Sequence, residues 1–209
     1  SKGQHRIWRI KVRTVEYYFT LVSPWTYLGD AAFKEITEKH GVSIRHHPVN
    51  LGRVFEATGG LPLAKRSDAR RALRMQELQR WRAYRNLPLN LEPKHFPVSD
   101  KMAAGMVIAA QELGQDVYPF CHAIMRAVWA EERDISDPAT MIEIADACGL
   151  DGKLLNAAAA NPSVVQKWES DTDKAIELGV MGAPFFIIGE HKLWGQDRLE
   201  FVDRILGNL

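Results

Sequence analysis

The sequence predicts an α/β fold. A β-α-β unit at its start and a β-β-α unit at its end build one sheet, with a large all-helical insertion between them. Three observations carry this. Val15-Glu16-Tyr17-Tyr18-Phe19 is an aromatic and β-branched run, the composition of a strand, and it gives way to a helical pattern at Ser23-Pro24. Pro184 opens a second such run, Phe185-Phe186-Ile187-Ile188, near the other end. Residues 51–162 between them are rich in helix formers and poor in strand signals.

The elements follow in order. Serine before proline is a preferred helix opening: Ser23 can cap, and Pro24 fills the first turn, where its missing N–H costs nothing. Tyr27, Leu28, Ala31, Ala32 and Ile36 form the apolar face, and Gly41 ends the helix. Val42 to Val49 returns as a strand. The crossover helix makes it parallel to the first. Ala69 to Tyr84 is a helix dominated by Arg, Leu, Gln and Glu. Lys101 to Leu113 is apolar nearly all round, so it is expected to be buried. Val117, Cys121, Ile124 and Val128 mark one face of the next helix. Asp137-Pro138 and Asn161-Pro162 open further ones, and Val164 to Gly179 leads back to the sheet.

In the last segment the strand expected over Ala183 to Ile188 turns at Gly189-Glu190, and His191 to Trp194 pairs back. Gln196 to Leu206 is a terminal helix, with Asp197 and Glu200 spaced as in a capping box. Residues 15–50 and 163–209 thus form the sheet domain and residues 51–162 the helical insertion. Residues 1–14, basic and without an apolar signal core, read as a flexible lead-in.

Composition narrows the function. The formal charge is +1, too balanced for a dedicated nucleic-acid binder. No apolar run is long enough to span a bilayer. The two cysteines, Cys121 and Cys148, sit in separate helical patterns and read as small buried hydrophobes. No C-x-x-C is present, so an internal dithiol cycle is excluded. Nothing requires an oxidising compartment, and a cytoplasmic location is expected. No grouping has metal-ligand spacing. His46 and His47 fall on the second strand and are not read as catalytic.

Three segments can carry chemistry. Ser23 stands at a strand-to-helix junction, where unpaired backbone N–H groups and the helix dipole favour an anion; it either caps the helix or also serves a site. Pro184 after Gly182-Ala183 is either an ordinary strand start or a cis-proline in a tight turn. Asp197, in Trp194-Gly195-Gln196-Asp197-Arg198, either caps the last helix or accepts hydrogen bonds from an ammonium group.

The ordered set of segments resembles the 2-hydroxychromene-2-carboxylate isomerases, relatives of the kappa-class glutathione transferases and of DsbA-type proteins. It begins with F-x-x-x-S-P-W-T-Y-L-G, Phe19 through Gly29. It continues with Asn50-Leu51-Gly52-Arg53-Val54 and Leu78-Gln79-Arg80-Trp81. It closes with Gly182-Ala183-Pro184-Phe185-Phe186 and Trp194-Gly195-Gln196-Asp197-Arg198. The resemblance covers the chain from Val15 onward and implies a thioredoxin-like fold with a helical insertion.

It also implies glutathione as cofactor and an aromatic 2-oxo acid as substrate. Ser23 would be the catalytic serine, contacting the glutathione sulfur and favouring its thiolate. In such folds a cis-proline loop faces the first helix. Here that is Pro184, and the Ala183 backbone would pair with the cysteinyl part. Trp194, Gly195, Gln196 and Asp197 would hold the γ-glutamyl end. Lys65 would take the glycyl carboxylate, with Arg66 and Arg70 as alternatives, because Gly60 replaces an asparagine of the kappa pattern. Arg53 would hold the substrate carboxylate. His95 stands where a family isomerase has a substrate-contacting asparagine. Trp81, Phe55 and Phe96 would wall an aromatic pocket or serve as core. The resemblance further implies a homodimer. It leaves open an isomerase, a transferase releasing conjugates, and a non-catalytic binding module. Ser23 and Thr26 stand where disulfide chemistry needs cysteines, which disfavours an oxidoreductase.

Overall fold

A computed structural model describes residues 13–209. The lead-in expected over residues 1–14 lies mostly outside the described residues. Its end does not: Arg13 donates to Leu206 O and His40 O, both at 3.0 Å, and strand β1 already begins at Thr14.

The sheet half is a thioredoxin-like arrangement. β1 (Thr14–Phe19) leads to α1 (Pro24–Lys39) and then to β2 (Ser43–Pro48). Near the end come β3 (Phe185–Ile188), β4 (His191–Trp194) and α9 (Leu199–Gly207). The strands lie in the order β2-β1-β3-β4. β1 and β2 are parallel, as the crossover requires, and the other two pairings are antiparallel. β3 opens at Phe185, after Pro184, rather than at Ala183. The expected terminal helix divides into a 3-10 turn at Gln196–Arg198 and α9 proper.

Between β2 and β3 lie α2 (Leu51–Thr58), α3 (Asp68–Arg85), α4 (Lys101–Glu112), α5 (Tyr118–Trp129), α6 (Pro138–Ala147), α7 (Gly152–Ala158) and α8 (Pro162–Leu178). α4 is buried at every position from Ala103 to Ala110, as its all-round apolarity demands. Its Gln111 reaches the edge strand β2: Nε2 donates to His46 O at 2.9 Å, and Oε1 accepts from His46 N at 3.1 Å. That occupies an otherwise unpaired strand edge.

The larger of two apolar clusters joins sheet and helices. Tyr17 stacks on Phe19 and Phe186 and meets Phe33, with ring centroids 4.7–5.5 Å apart. The same cluster continues through Leu78, Met106, Phe120 and Trp129. Tyr17 Oη donates to Asp30 Oδ1 at 3.1 Å, and Asp30 Oδ2 lies 2.9 Å from His122 Nδ1. These bonds tie α1 to β1 and α5 around a fully buried carboxyl.

The adjacent histidines of β2 respond to pH in opposite ways. His46 is 3% exposed, packs edge-on against Tyr17 and Phe19, and its Nε2 has no partner. Burial pushes its pKa down to about 4. His47 is also desolvated, but Asp171 and Glu16 bond to it and raise its pKa overall. For His46 the unfolded chain takes up a proton as pH falls through about 6.5, while the folded chain stays neutral until about 4. Up to about 3 kcal/mol of stability is therefore lost across that window. His46→Leu removes the titration and keeps the apolar contacts. Urea unfolding at about pH 7 and about pH 4.5 should show the variant gaining on the parent by 2–3 kcal/mol, approximately, as the solution is acidified. A constant difference would mean that His46 is not held neutral.

Candidate functional site

The topology brings the predicted segments to one end of the sheet. β1 ends at Phe19, and α1 starts just beyond. β3 runs antiparallel to β1, with Tyr18 opposite Phe185, so Ala183 and Pro184 lie beside the β1 exit. β4 runs back along β3, with Trp194 opposite Phe185, so Trp194 through Asp197 arrive at the same end.

Ser23 is 7% exposed and extended, and its Oγ accepts from Thr26 N at 3.2 Å. It is thus the helix cap that its sequence position suggests. Its own hydroxyl proton has no acceptor among the described residues and remains available to an anion. The first turn of α1 carries no acidic side chain of its own to offset the positive end of the helix dipole. Two further buried hydroxyls flank this point without partners, Thr20 Oγ1 and Thr26 Oγ1. Unpartnered buried polar atoms are uncommon in folded proteins, and these two lie within three residues of Ser23 in the chain.

The loop before Ser23 is clamped from distant parts of the chain. Leu21 N donates to Asp100 Oδ2 at 3.2 Å, and Trp129 Nε1 donates to Val22 O at 3.2 Å. Burial pushes the Asp100 pKa up to about 6, against the bonds its carboxylate accepts. Neither residue was singled out from sequence. Asp100 precedes α4 at its N-cap position but makes no side-chain cap bond there. The fully buried Trp129 looked like ordinary core.

The bond between Ala183 and Pro184 is cis. The N–H and C=O of Ala183 enter neither the ladder nor the loop hydrogen bonds among the described residues. An extended ligand can therefore add to the sheet here as a short strand. Gly182 must lack a side chain, because a methyl there would collide with the Trp194 indole. Gly195, at φ 105°, donates to Pro184 O at 2.8 Å and fixes the turn into the 3-10 segment.

Gln196 and Asp197 play different parts. Gln196 is 3% exposed and packs on Gly29 of α1, where no Cβ would fit. Its Oε1 and main-chain O both accept from Arg85 at 2.9–3.2 Å. Its side chain is a bracket between α1 and α3. Asp197 is half exposed, with only Arg198 at 3.8 Å. The capping box expected from Asp197 and Glu200 does not form: neither the 3-10 turn nor α9 has a side-chain cap. The break between the two elements removes the geometry that a box needs.

Other predicted positions lie apart from this cluster. Arg53 lies on α2 with its guanidinium paired to Glu169 at 2.7 Å and to Asp173, which joins α2 to α8. Lys65 ends an exposed 3-10 turn, Leu63–Lys65, without an ion pair among the described residues. His95 is half-buried in the loop before α4. The three aromatics expected to wall one pocket pack in separate contacts: Trp81 against Tyr84, Phe55 beneath Gly60, and Phe96 on Trp129. Two clefts, of about 540 and 320 Å³, lie beside residues 82–90 and between α1, α3 and α9. Asp197 borders the second, and Ser23 lines neither. Cys121 is buried, its thiol pushed well up by burial; Cys148 is partly exposed, and both are free. Among the described residues no group of ligating side chains could hold a metal, and no helix is long and apolar enough to cross a membrane.

The model for the DSBA-like thioredoxin domain matches residues 14–207. The chain belongs to that family. Within it, the chain is similar to the 2-hydroxychromene-2-carboxylate isomerase of Sphingobium xenophagum, 26% identical over 93% of this chain and 98% of that protein. It is also similar to glutathione S-transferase kappa 1 of Caenorhabditis elegans, 23% identical over 94% of this chain and 92% of the transferase. A solved 2-hydroxychromene-2-carboxylate isomerase superposes with a TM-score of 0.82 at 22% identity, covering 93% of this chain and 95% of that one. This family member is thus related to isomerases and kappa transferases.

Proposed function

We propose that the protein binds glutathione at the Ser23 end of the sheet and uses it to isomerise an aromatic 2-oxo acid of the hydroxychromene carboxylate type. The observation that carries this reading is the convergence of Ser23, the open Ala183 backbone and the uncapped Asp197 at one end of the sheet. The similarity to isomerases along the whole chain supports it.

Each residue has a defined task. The Ser23 hydroxyl donates to the glutathione sulfur while its oxygen keeps the cap on α1. A free thiol has a pKa of about 8.5. One hydrogen bond to the charged form contributes roughly 1.5–3 kcal/mol, enough to lower that value by about one to two units. The Ala183 N–H and C=O hold the cysteinyl backbone, and the Asp197 carboxylate accepts from the γ-glutamyl ammonium. When bound, glutathione would supply a thiolate that adds to a conjugated carbon, frees the neighbouring bond to rotate, and leaves unchanged. Holding both partners together supplies rate through orientation.

The test is turnover of a hydroxychromene carboxylate with mass spectrometry of the products. The expected product has the substrate's mass, forms only when glutathione is present, and leaves the glutathione unconsumed. A stable adduct would instead assign a kappa-like transferase. No turnover with bound glutathione would leave a binding module.

A further inference from the structure

Arg53 already faces two carboxylates of α8, so a cation without such partners suits a substrate acid group better. The N-terminal part of α3 and the turn before it supply one. Arg70 and Arg74 are four residues apart and share a helix face. Arg66 precedes the cap Ser67, and its Nε donates to Leu61 O at 2.9 Å, which fixes its guanidinium. Other arginines of the helix are neutralised, Arg71 by Asp68 at 2.8 Å and Arg80 by Glu77 at 2.5 Å. Neither Arg66 nor Arg74 faces a carboxylate among the described residues. Arg74 is half-buried and lies over the Phe96 ring, 5.9 Å from its centroid.

That ring leads toward Ser23. Phe96 packs on Trp129 with centroids 4.8 Å apart, and Trp129 donates to Val22, the residue before Ser23. An aromatic floor, half-buried guanidinium groups and a physical connection to the serine loop occur in one run of contacts. We infer that Arg74, assisted by Arg66, binds the carboxylate of the aromatic acid, with the substrate ring directed along Phe96. The inference rests on the isomerase reading above for the identity of the ligand. Burial, and secondarily the neighbouring guanidinium, lowers the Arg74 pKa. That agrees with two cations held close without a counter-ion, an arrangement which an incoming carboxylate relieves. The planar fork of arginine suits a carboxylate bidentately, which a lysine cannot reproduce.

The experiment uses coumarin-3-carboxylate as a fluorescent probe, coumarin as the same ring without the acid, and glutathione by calorimetry. Arg74→Gln should weaken coumarin-3-carboxylate by about tenfold and leave coumarin and glutathione unchanged. Arg74→Lys, which keeps the charge, should recover only part of the loss, and both variants should melt near the parent. Loss of glutathione affinity with the probe unaffected would overturn the assignment and give these arginines to the glycyl carboxylate. Unchanged binding of every ligand, or a parent that does not bind the probe, would overturn it outright. Failure of the glutathione reading is separate: the parent would then bind the probe through Arg74 and give no heat with glutathione.

Discussion

Replacing Ser23 by alanine should cut turnover roughly 10- to 150-fold while leaving the fold standing. The figure is one hydrogen bond to a charged sulfur, about 1.5–3 kcal/mol, expressed as a rate. The same substitution removes the bond from Thr26 N to Ser23 Oγ, an N-cap loss of about 0.5–2 kcal/mol. Ser23→Thr keeps a hydroxyl in both roles and should preserve both, while turnover and melting temperature report the two losses of Ser23→Ala separately. Stopped assays of Ser23→Ala, Ser23→Thr and the parent, each with a melting curve, decide the matter. If alanine lowers only the melting temperature, Ser23 is a cap and nothing more.

Asp197→Asn should lower glutathione affinity about 5- to 150-fold, the loss of one charge-assisted contact of roughly 1–3 kcal/mol. The structure sharpens this expectation. Because Asp197 caps neither the 3-10 turn nor α9, no helix stability is at stake and the melting temperature should not move. Its contact with Arg198 is exposed and long, at 3.8 Å, and such pairs contribute little. The loss belongs in binding rather than in turnover at saturation, because the γ-glutamyl end lies far from sulfur. A glutathione analogue lacking the amine should bind variant and parent alike. Equal glutathione affinity in the two proteins would remove Asp197 from the site.

What could be read from the sequence was what neighbouring residues decide. Ser23-Pro24 fixes the start of α1, the all-round apolarity of Lys101 to Leu113 marks α4 as buried, and Gly189-Glu190 turns β3 into β4. The β-α-β and β-β-α order then dictates the sheet, and the sheet gathers Ser23, Ala183, Pro184 and Trp194 to Asp197 at one end. Contacts between distant residues were not legible. Arg53 meets Glu169 and Asp173 across more than a hundred residues. An arginine on a short helix gives no local sign that α8 will supply two carboxylates. Arg85 on Gln196 and Asp100 on Leu21 are similar cases, 111 and 79 residues apart. Both support the site, and both look locally like an ordinary helix end and an ordinary cap. The capping box failed for a subtler reason: the i,i+3 spacing was present, but a 3-10 turn occupies the place of the first helical turn.

On this reading the Ser23 end of the sheet holds glutathione as its thiolate. The most direct test is a pH titration of the ultraviolet thiolate absorbance of glutathione bound to the parent protein. A single transition is expected about one to two units below the free-thiol value of roughly 8.5, so that bound glutathione is largely ionised at neutral pH. A transition at the free-thiol value, or no binding of glutathione, would contradict it.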